Sequence, residues 1–229
     1  MRGWRWVAVM VVGFGVALAL AQDPLKTLPK NYWMEFENSR VKVIHAHYPA
    51  MQTLPVHDHP DASVLYIYLN DAGPLKFLHD APHEFPVERK PVQTGQIRMA
   101  AAKAETHRVQ SLSSQDSDSV RVEFQTVHFS ADMHDVREPA ADEAFWSVDA
   151  PPQKVVFEDA RLRVTRLGVL PGQAKELVAK GKAALWIAVR VEGASYAGKV
   201  AHAGECWDTP GLSVKAGGSR VELVRVEWK

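Results

Sequence analysis

The sequence has a single cysteine, Cys206, among its 229 residues. One thiol cannot form an internal disulfide. We interpret Cys206 as a small buried hydrophobe, because no neighbouring residue indicates an activated thiolate. The sequence also contains no glycine-rich phosphate loop, serine-centred nucleophile elbow or zinc-finger cysteine set. These absences argue against the nucleotide-binding, serine-hydrolase and zinc-finger classes.

An excess of charge of either sign is also absent. The chain has 27 basic and 27 acidic residues, so its formal net charge is zero. A nearly neutral chain gives no support for nucleic-acid binding or for a polybasic membrane patch.

The N-terminus carries an uninterrupted apolar run. Arg2 and Arg5 precede it, it extends from Val7 to Leu20, and an Ala-Leu-Ala triplet closes it. This order predicts a secretory signal peptide over residues 1–21 and an exported protein, periplasmic or extracellular, with no stable membrane anchor after cleavage. An uncleaved anchor is the alternative, but the run is shorter than the roughly 20 residues of a membrane span. Cleavage leaves 208 residues with 25 basic and 27 acidic side chains, a net charge near −2.

Helical periodicity is scarce in the rest of the chain, where Ala100 to Ala104 is helix-friendly but short. Short runs rich in Val, Ile, Leu and Tyr alternate instead with Pro, Gly, Asp and Asn. This alternation predicts an all-β sandwich or barrel. The runs are Val41 to His47, Val64 to Leu69, Val120 to Val127, Leu162 to Leu170, Leu185 to Val191 and Val221 to Trp228.

An internal repeat divides the chain. The eight residues from Phe36 to Val43 match those from Phe157 to Val164, and every difference is conservative or between small residues. A period of about 120 residues is too long for a solenoid and indicates a duplicated domain. We predict a first domain over residues 30–129, a linker over 130–153 and a second domain over 154–229.

The motif His57-Asp58-His59 carries the clearest chemical signal. Residues two apart on a strand point to the same face, so both imidazoles would meet at one place. Neutral imidazole is a common ligand for transition metals, and His107 ends another apolar segment downstream. The pattern predicts a divalent transition metal site of His57, His59 and His107, for Fe, Mn, Zn, Ni or Cu. Surface decoration of a turn is the alternative.

These motifs resemble those of the cupin superfamily, whose members are small double-sheet barrels that are often duplicated into bicupins. The first cupin motif is a glycine, H-x-H and a glutamate leading into a strand. The second begins with a glycine and ends at a histidine about ten residues later. Here His57-Asp58-His59 and the strand from Val64 match the first, while Gly95 and His107 match the second with two extra residues. The resemblance covers most of the mature chain and implies an all-β fold of two tandem cupin-like double-stranded β-helix (jelly-roll) barrels.

Two departures from the cupin pattern affect the expected chemistry. The family glutamate is missing, because Ser63 or Val64 stands at its place, so the site has three histidines unless Asp61 or Glu105 joins it. The second half has no histidines at the matching positions. We expect the second barrel to be structural. Covering the first barrel and forming a homodimer are two further roles that it could have.

The resemblance leaves two functional interpretations open. A three-histidine site with open positions resembles that of cupin oxygenases, and isomerase or decarboxylase chemistry on a small acid or sugar also occurs in the family. The alternative is a non-catalytic cupin that binds a small ligand or a partner protein. The sequence does not identify a catalytic residue. Two interpretations of Glu105 stay open, a general base and a solvated loop acid.

The sequence also predicts where several other histidines, tyrosines and tryptophans lie. His45 and His47 form a second H-x-H, which we predict to face outward or to an interface as non-ligands. Tyr66 and Tyr68 share the inward face with Val64 and either donate to a bound anion or belong to the core. We expect Trp207 and Trp228 to pack in the second core. Five histidines are predicted to be solvated, in loops or at or beyond strand ends, and a place over the barrel mouth is the alternative for the first two: His79, His83, His128, His134 and His202.

Overall fold

The computed structural model describes residues 23–79, 85–129, 133, 135–147, 152–181 and 183–229. The predicted signal peptide, His83 and His134 lie outside the described residues. Within the described ranges, the one α-helix is α1 (Pro24–Thr27), and no helix there is long and apolar enough to cross a membrane.

The first half of the chain forms two antiparallel sheets that close into a jelly-roll barrel. Its strands are β1 (Tyr32–Glu37), β2 (Val41–Tyr48), β3 (His57–His59), β4 (Ser63–Tyr68), β5 (Leu75–His79), β6 (Val87–Arg89), β7 (Ile97–Ala100), β8 (Glu105–Ser111), β9 (Ser117–Phe124) and β10 (Val136–Glu138). The larger sheet has the order β1-β2-β9-β4-β7-β10, and the smaller sheet has the order β3-β8-β5-β6.

The second half repeats this arrangement with nine strands. They are β11 (Gln153–Glu158), β12 (Leu162–Val169), β13 (Ala174–Val178), β14 (Ala183–Arg190), β15 (Ser195–Tyr196), β16 (Lys199–Val200), β17 (Cys206–Asp208), β18 (Gly211–Lys215) and β19 (Val221–Trp228). The larger sheet has the order β11-β12-β19-β14-β17, and the smaller has the order β13-β18-β15-β16. The predicted all-β fold of two tandem jelly-roll barrels is therefore confirmed.

The internal repeat occupies the same place in both barrels. Its first copy joins β1 to β2, and its second copy joins β11 to β12. Each pair has a register shift just before the repeat's phenylalanine, between Met34 and Phe36 and between Val155 and Phe157. A bulge shared by both copies is a structural feature that sequence comparison alone does not show.

The segment predicted as a linker contributes a strand to the first barrel. Within residues 130–153, β10 pairs antiparallel with β7, so that Val136 lies opposite Met99. The described part of this segment therefore extends the larger sheet of the first barrel by one edge strand before β11 begins.

The two larger sheets pack face to face and share one apolar core. Alternate residues of each strand point into this core, for example Leu65 and Val122 from the first barrel and Leu185 and Val226 from the second. Burial of this apolar surface holds the barrels together. Trp228 belongs to this shared core rather than to the interior of the second barrel, which corrects its predicted place.

The interior of the second barrel is filled mainly by apolar side chains, with the buried ion pair of Arg225 and Glu227 beside them. Trp186 is fully buried there, and Leu212 and Leu223 pack around it. Trp207 packs against the same cluster, as predicted. The first barrel differs, because three buried histidines lie on its smaller sheet, where the second barrel has apolar side chains.

Candidate metal centre

The three predicted ligands meet inside the first barrel. His57 on β3 lies directly opposite His107 on β8, and His59 lies opposite Glu105 on the same strand pair. Because side chains two apart on a strand share a face, all three imidazoles point into the barrel. Their nitrogen ligand atoms lie within 4.8 Å of one another. The sequence prediction that these histidines come together is confirmed.

The cluster is tightly packed and shielded from solvent. Its imidazole ring centroids are 5.0 Å apart in each of the three pairs. His57, His59 and His107 are only 0, 5 and 2% exposed. A metal ion held between them would therefore be reached through the barrel cavity rather than from the outer surface.

Burial keeps the three imidazoles uncharged. Desolvation lowers the pKa of His57 and lowers that of His59 well below its ordinary value. It lowers the pKa of His107 to about 2, and the positive charge of Arg121 acts in the same direction. Neutral imidazoles have a free nitrogen lone pair, which is the form that binds a metal ion.

Hydrogen bonds fix the tautomer of His57. Its Nδ1 lies 2.9 Å from the carbonyl oxygen of Pro55, which can only accept, so Nδ1 carries the proton and Nε2 carries the lone pair. Nε2 is 3.0 Å from the hydroxyl of Tyr32, and that hydroxyl is 3.1 Å from the hydroxyl of Tyr48. The Tyr32 hydroxyl therefore has a second partner if a metal ion takes the lone pair of Nε2.

His107 provides the strongest sign of a missing ligand. Both of its ring nitrogens are buried, and neither is hydrogen-bonded to a described residue. Buried polar atoms without partners are rare in folded proteins. A donor set of three neutral imidazoles, one of them unpaired, fits a divalent transition metal.

Ser63, at the position of the missing family glutamate, has a structural role. Ser63 is fully buried, and its Oγ accepts a 2.6 Å hydrogen bond from the backbone amide of Phe129. Glu105 lies beside the cluster with its Oε2 3.7 Å from Nδ1 of His107, while Asp61 is exposed and outside the cluster. Among the described residues, the cluster therefore consists of three histidines.

His79 lies next to this cluster, so its predicted place in a loop is wrong. It is the last residue of β5, directly opposite His107, and their ring centroids are 5.7 Å apart. Pairing with β8 extends β5 as far as this residue, which the sequence alone did not indicate.

A small cavity adjoins the cluster. The space open to the centre of a water molecule is about 40 Å³, enough for a few waters or a small ligand. Tyr66 and Tyr68 line it together with His59 and His107, which confirms that these tyrosines point inward.

Arg121 on β9 also lines the cavity, and sequence reasoning missed it. It is 5% exposed, and its Nε donates to Oε1 of Glu123 at 2.8 Å. Its Nη1 donates to the hydroxyl of Tyr66 at 2.9 Å. The available signal was the Arg-x-Glu pattern of β9, which β19 repeats as Arg225 and Glu227.

The second H-x-H points away from the cluster. The ring of His45 lies between Glu35 and Asp118, with its nitrogens 3.1 and 3.0 Å from their carboxylates, and stacks on Trp33. His47 bonds to Asp118 at 2.9 Å. Both histidines lie outside the cluster, where they pair with carboxylates.

The remaining candidates of the sequence lie apart from the cavity. His128 and His202 are exposed and outside strands, as predicted. Burial raises the pKa of the Cys206 thiol well above its ordinary value, and its Sγ donates to the carbonyl of Gly204 at 3.2 Å. An activated thiolate would require the opposite shift.

Comparison with solved structures shows the fold. The bacterial pirin YhhW from Escherichia coli, solved in complex with nickel(II), is 14% identical, with a TM-score of 0.56 over 86% of this chain and 90% of that chain. AerE from Microcystis aeruginosa is 9% identical, with a TM-score of 0.53 over 87% of this chain and 97% of that chain.

The protein YhaK from Escherichia coli is 8% identical, with a TM-score of 0.52 over 86% of this chain and 91% of that chain. No protein-family model and no curated protein matches the sequence. At these identities the likeness is one of architecture, and the chain has the tandem-barrel fold of the bicupins.

Proposed function

We propose that the first barrel binds a divalent transition metal ion through His57, His59 and His107, and that the protein is a metal-dependent enzyme, an oxygenase or a related one, acting on a small molecule. The observation that carries this proposal is the buried cluster of three neutral imidazoles, in which both nitrogens of His107 lack a partner. A metal ion with three protein ligands keeps open positions and would supply Lewis-acid or dioxygen chemistry to a substrate.

The residues of the barrel support this function by orienting the ligands and excluding water. The Pro55 carbonyl holds the ring of His57 in one tautomer, as hydrogen bonds to metal-binding histidines generally do. Cross-strand pairing fixes His57 opposite His107. The aromatic and apolar walls of the cavity would keep bulk solvent from a bound substrate.

A non-catalytic metal-dependent binding protein is the second candidate. The observation in its favour is that the second barrel keeps the same fold with Leu177 and Leu212 in place of the opposed histidines, so the fold does not require chemistry. In this candidate the metal site binds a small ligand, and no turnover follows.

Metal analysis of the purified protein tests the site. We expect about one Fe, Mn, Zn, Ni or Cu ion per chain after reconstitution, and loss of that ion in His57→Leu/His107→Leu. Leucine is the chosen replacement because Leu177 and Leu212 form an opposed inward pair on the corresponding strands β13 and β18. His47→Leu is the matched control and should retain the metal.

Equal metal content in the double variant and the wild type would contradict the site. Oxygen consumption and product analysis with the metal-loaded protein then separate the two candidates. Turnover of a small acid, phenol, thiol, diketone or sugar supports the enzyme, and metal-dependent binding without turnover supports the binding protein.

We also propose that residues 1–21 direct export and are removed. The support is the order of charged, apolar and small residues in the sequence. N-terminal sequencing of protein from the native cell envelope should begin at Gln22, and a chain that begins at Met1 would contradict cleavage.

A further inference from the structure

We infer that Arg121 and Tyr66 form a subsite in the first barrel for the carboxylate of a small organic acid. This inference deepens the proposed function and rests on it for the role of the acid as substrate. The subsite itself is argued from the side chains that surround the cavity, and it can be tested without metal.

Arg121 has unused hydrogen-bond donors in a nearly closed space. A guanidinium group has five N–H donors, all in one plane. Two of them are used, by Glu123 and by the hydroxyl of Tyr66. Its Nη2 meets no acceptor among the described residues, although only 6% of the side chain is exposed. Buried cationic donors of this kind are stabilised by an anionic acceptor.

Tyr66 adds a neutral donor beside this cation. Its hydroxyl oxygen accepts from Arg121 Nη1 at 2.9 Å, so its own proton is available for another acceptor. No described residue accepts that proton. The guanidinium groups of Arg98 and Arg121 lie 5.2 and 5.5 Å from the ring centroid of Tyr66. A phenol donor next to a guanidinium fork matches the two oxygens of a carboxylate.

The charges around the cavity favour an anion once a metal ion is present. Three cationic side chains line the cavity, and three carboxylates line it or pair with them: Arg89, Lys90, Arg121, Glu105, Asp118 and Glu123. These side chains balance one another in number. A dication held by three neutral imidazoles therefore has no counterion, and a bound carboxylate would supply one.

The second barrel shows what the same arginine does when no ligand is needed. Arg225 pairs with Glu227 at 3.0 Å, as Arg121 pairs with Glu123. There, Nη1 of Arg225 donates to the backbone carbonyl of Val178. Its neighbour on β14 is Trp186, at the place that Tyr66 has on β4. The duplicated arginine thus packs over the ring of Trp186, 5.1 Å from its centroid, in the second barrel and lines the cavity in the first.

Calorimetric titration with glycolate tests the subsite, since the cavity suits an acid of a few heavy atoms. Glycolamide, which lacks the charge, is the matched ligand control. The titrations use the metal-free and the zinc-loaded protein. We expect glycolate to bind at least about tenfold more tightly than glycolamide to the wild type.

Three variants locate the effect. We expect Arg121→Gln to weaken glycolate binding by about tenfold or more, and Tyr66→Phe to weaken it severalfold. Arg225→Gln removes the equivalent arginine of the second barrel and should leave glycolate binding unchanged. Zinc content, measured on the same samples, should remain that of the wild type in all three variants.

Equal binding of glycolate and glycolamide, or wild-type affinity in both Arg121→Gln and Tyr66→Phe, would overturn the inference. If Arg121→Gln does not fold, the same titration of Tyr66→Phe and Arg121→Lys tests the inference instead. Loss of glycolate binding in these variants of a protein that takes up no metal would support the subsite while refuting the proposed metal function.

Discussion

Gly95 and Glu222 lie in direct contact across the boundary between the two barrels. A Cβ atom on Gly95 would be 2.6 Å from Oε1 of Glu222, and the φ angle of Gly95 is +85°. Glu222 is fully buried and ion-paired with Arg166 and Arg190, each at 3.0 Å. Arg190 also donates to the carbonyl of Thr94, and Arg166 donates to that of Gly95. The glycine that opens the second cupin-like motif therefore also anchors the second barrel.

Replacing Gly95 should destabilise the protein more than its backbone angle alone explains. Gly95→Ala combines a left-handed φ with a clash against a buried ion-pair network, and we expect a loss of about 2–4 kcal/mol in the free energy of unfolding. Gly172→Ala is the control, because its φ is +73° and nothing lies within 4 Å of its Cβ position. This control should lower the free energy of unfolding by about 1 kcal/mol. Equal losses in denaturant titrations of the two variants would show that the contact with Glu222 contributes nothing.

The ion-pair cluster around His45 should make stability depend on pH. Burial would lower the pKa of His45, but its hydrogen bonds to Asp118 and Glu35 raise it above the ordinary value. The same bonds lower the pKa of Glu35 and of Asp118, although burial opposes this. The contribution of His45 is fully present below about pH 6.5 and is lost as the pH rises through its raised pKa. That of the carboxylates is present above about pH 4 and is lost as the pH falls through their lowered pKa values.

The cluster should therefore stabilise the fold most between about pH 4 and pH 6.5. We expect the free energy of unfolding of the wild type to exceed that of His45→Gln by about 1–2 kcal/mol in this window and by less on either side. Melting temperatures measured from pH 3 to pH 9 check this. A difference between the two proteins that stays constant with pH would mean that His45 acts by packing on Trp33 alone.

The candidate ligands were predictable from sequence, whereas the rest of the cavity was not. Strand alternation and the cupin-like motif were enough to bring His57, His59 and His107 together. Strand alternation did not reveal that Arg121 points into the cavity, because both faces of β9 are covered. One face lines the barrel interior, and the other packs against the second barrel. An alternating polar residue there does not point to solvent. The same double coverage explains why Trp228 lies in the shared core rather than in the interior of the second barrel.

Metal removal should lower stability in a manner that depends on the histidine cluster. A ligand that binds only the folded state stabilises it by about 2.7 kcal/mol at a free concentration of one hundred times its Kd. We expect added zinc or nickel to raise the melting temperature of the wild type, and a chelator to reverse the rise. The His57→Leu/His107→Leu protein should respond to neither treatment. A metal-induced rise of wild-type size in this variant would place the binding elsewhere.

Trp186 should stabilise the second barrel without affecting the metal site. It is fully buried, and its Nε1 donates to the carbonyl of Thr209 at 2.8 Å. Trp186→Ala removes the largest side chain of that interior and should cost about 3–5 kcal/mol. Metal content of the folded variant should equal that of the wild type, because the histidines lie in the other barrel. A parallel loss of metal would show that the second barrel shapes the site through the shared core.

The buried Tyr32 and the half-buried Tyr48 should affect metal affinity in opposite directions. The Tyr32 hydroxyl donates to Nε2 of His57, so it competes with a metal ion for the same lone pair. Tyr32→Phe removes this competitor and should tighten metal binding severalfold, at a cost of about 1 kcal/mol in stability. Tyr48→Phe keeps the competitor but removes the hydroxyl oxygen that would accept the Tyr32 hydrogen bond once a metal ion occupies Nε2, so it should weaken metal binding. Competition titrations with a coloured chelator measure both affinities. Weaker binding in Tyr32→Phe than in the wild type would contradict competition and would instead make the Tyr32 oxygen a contributor to the site.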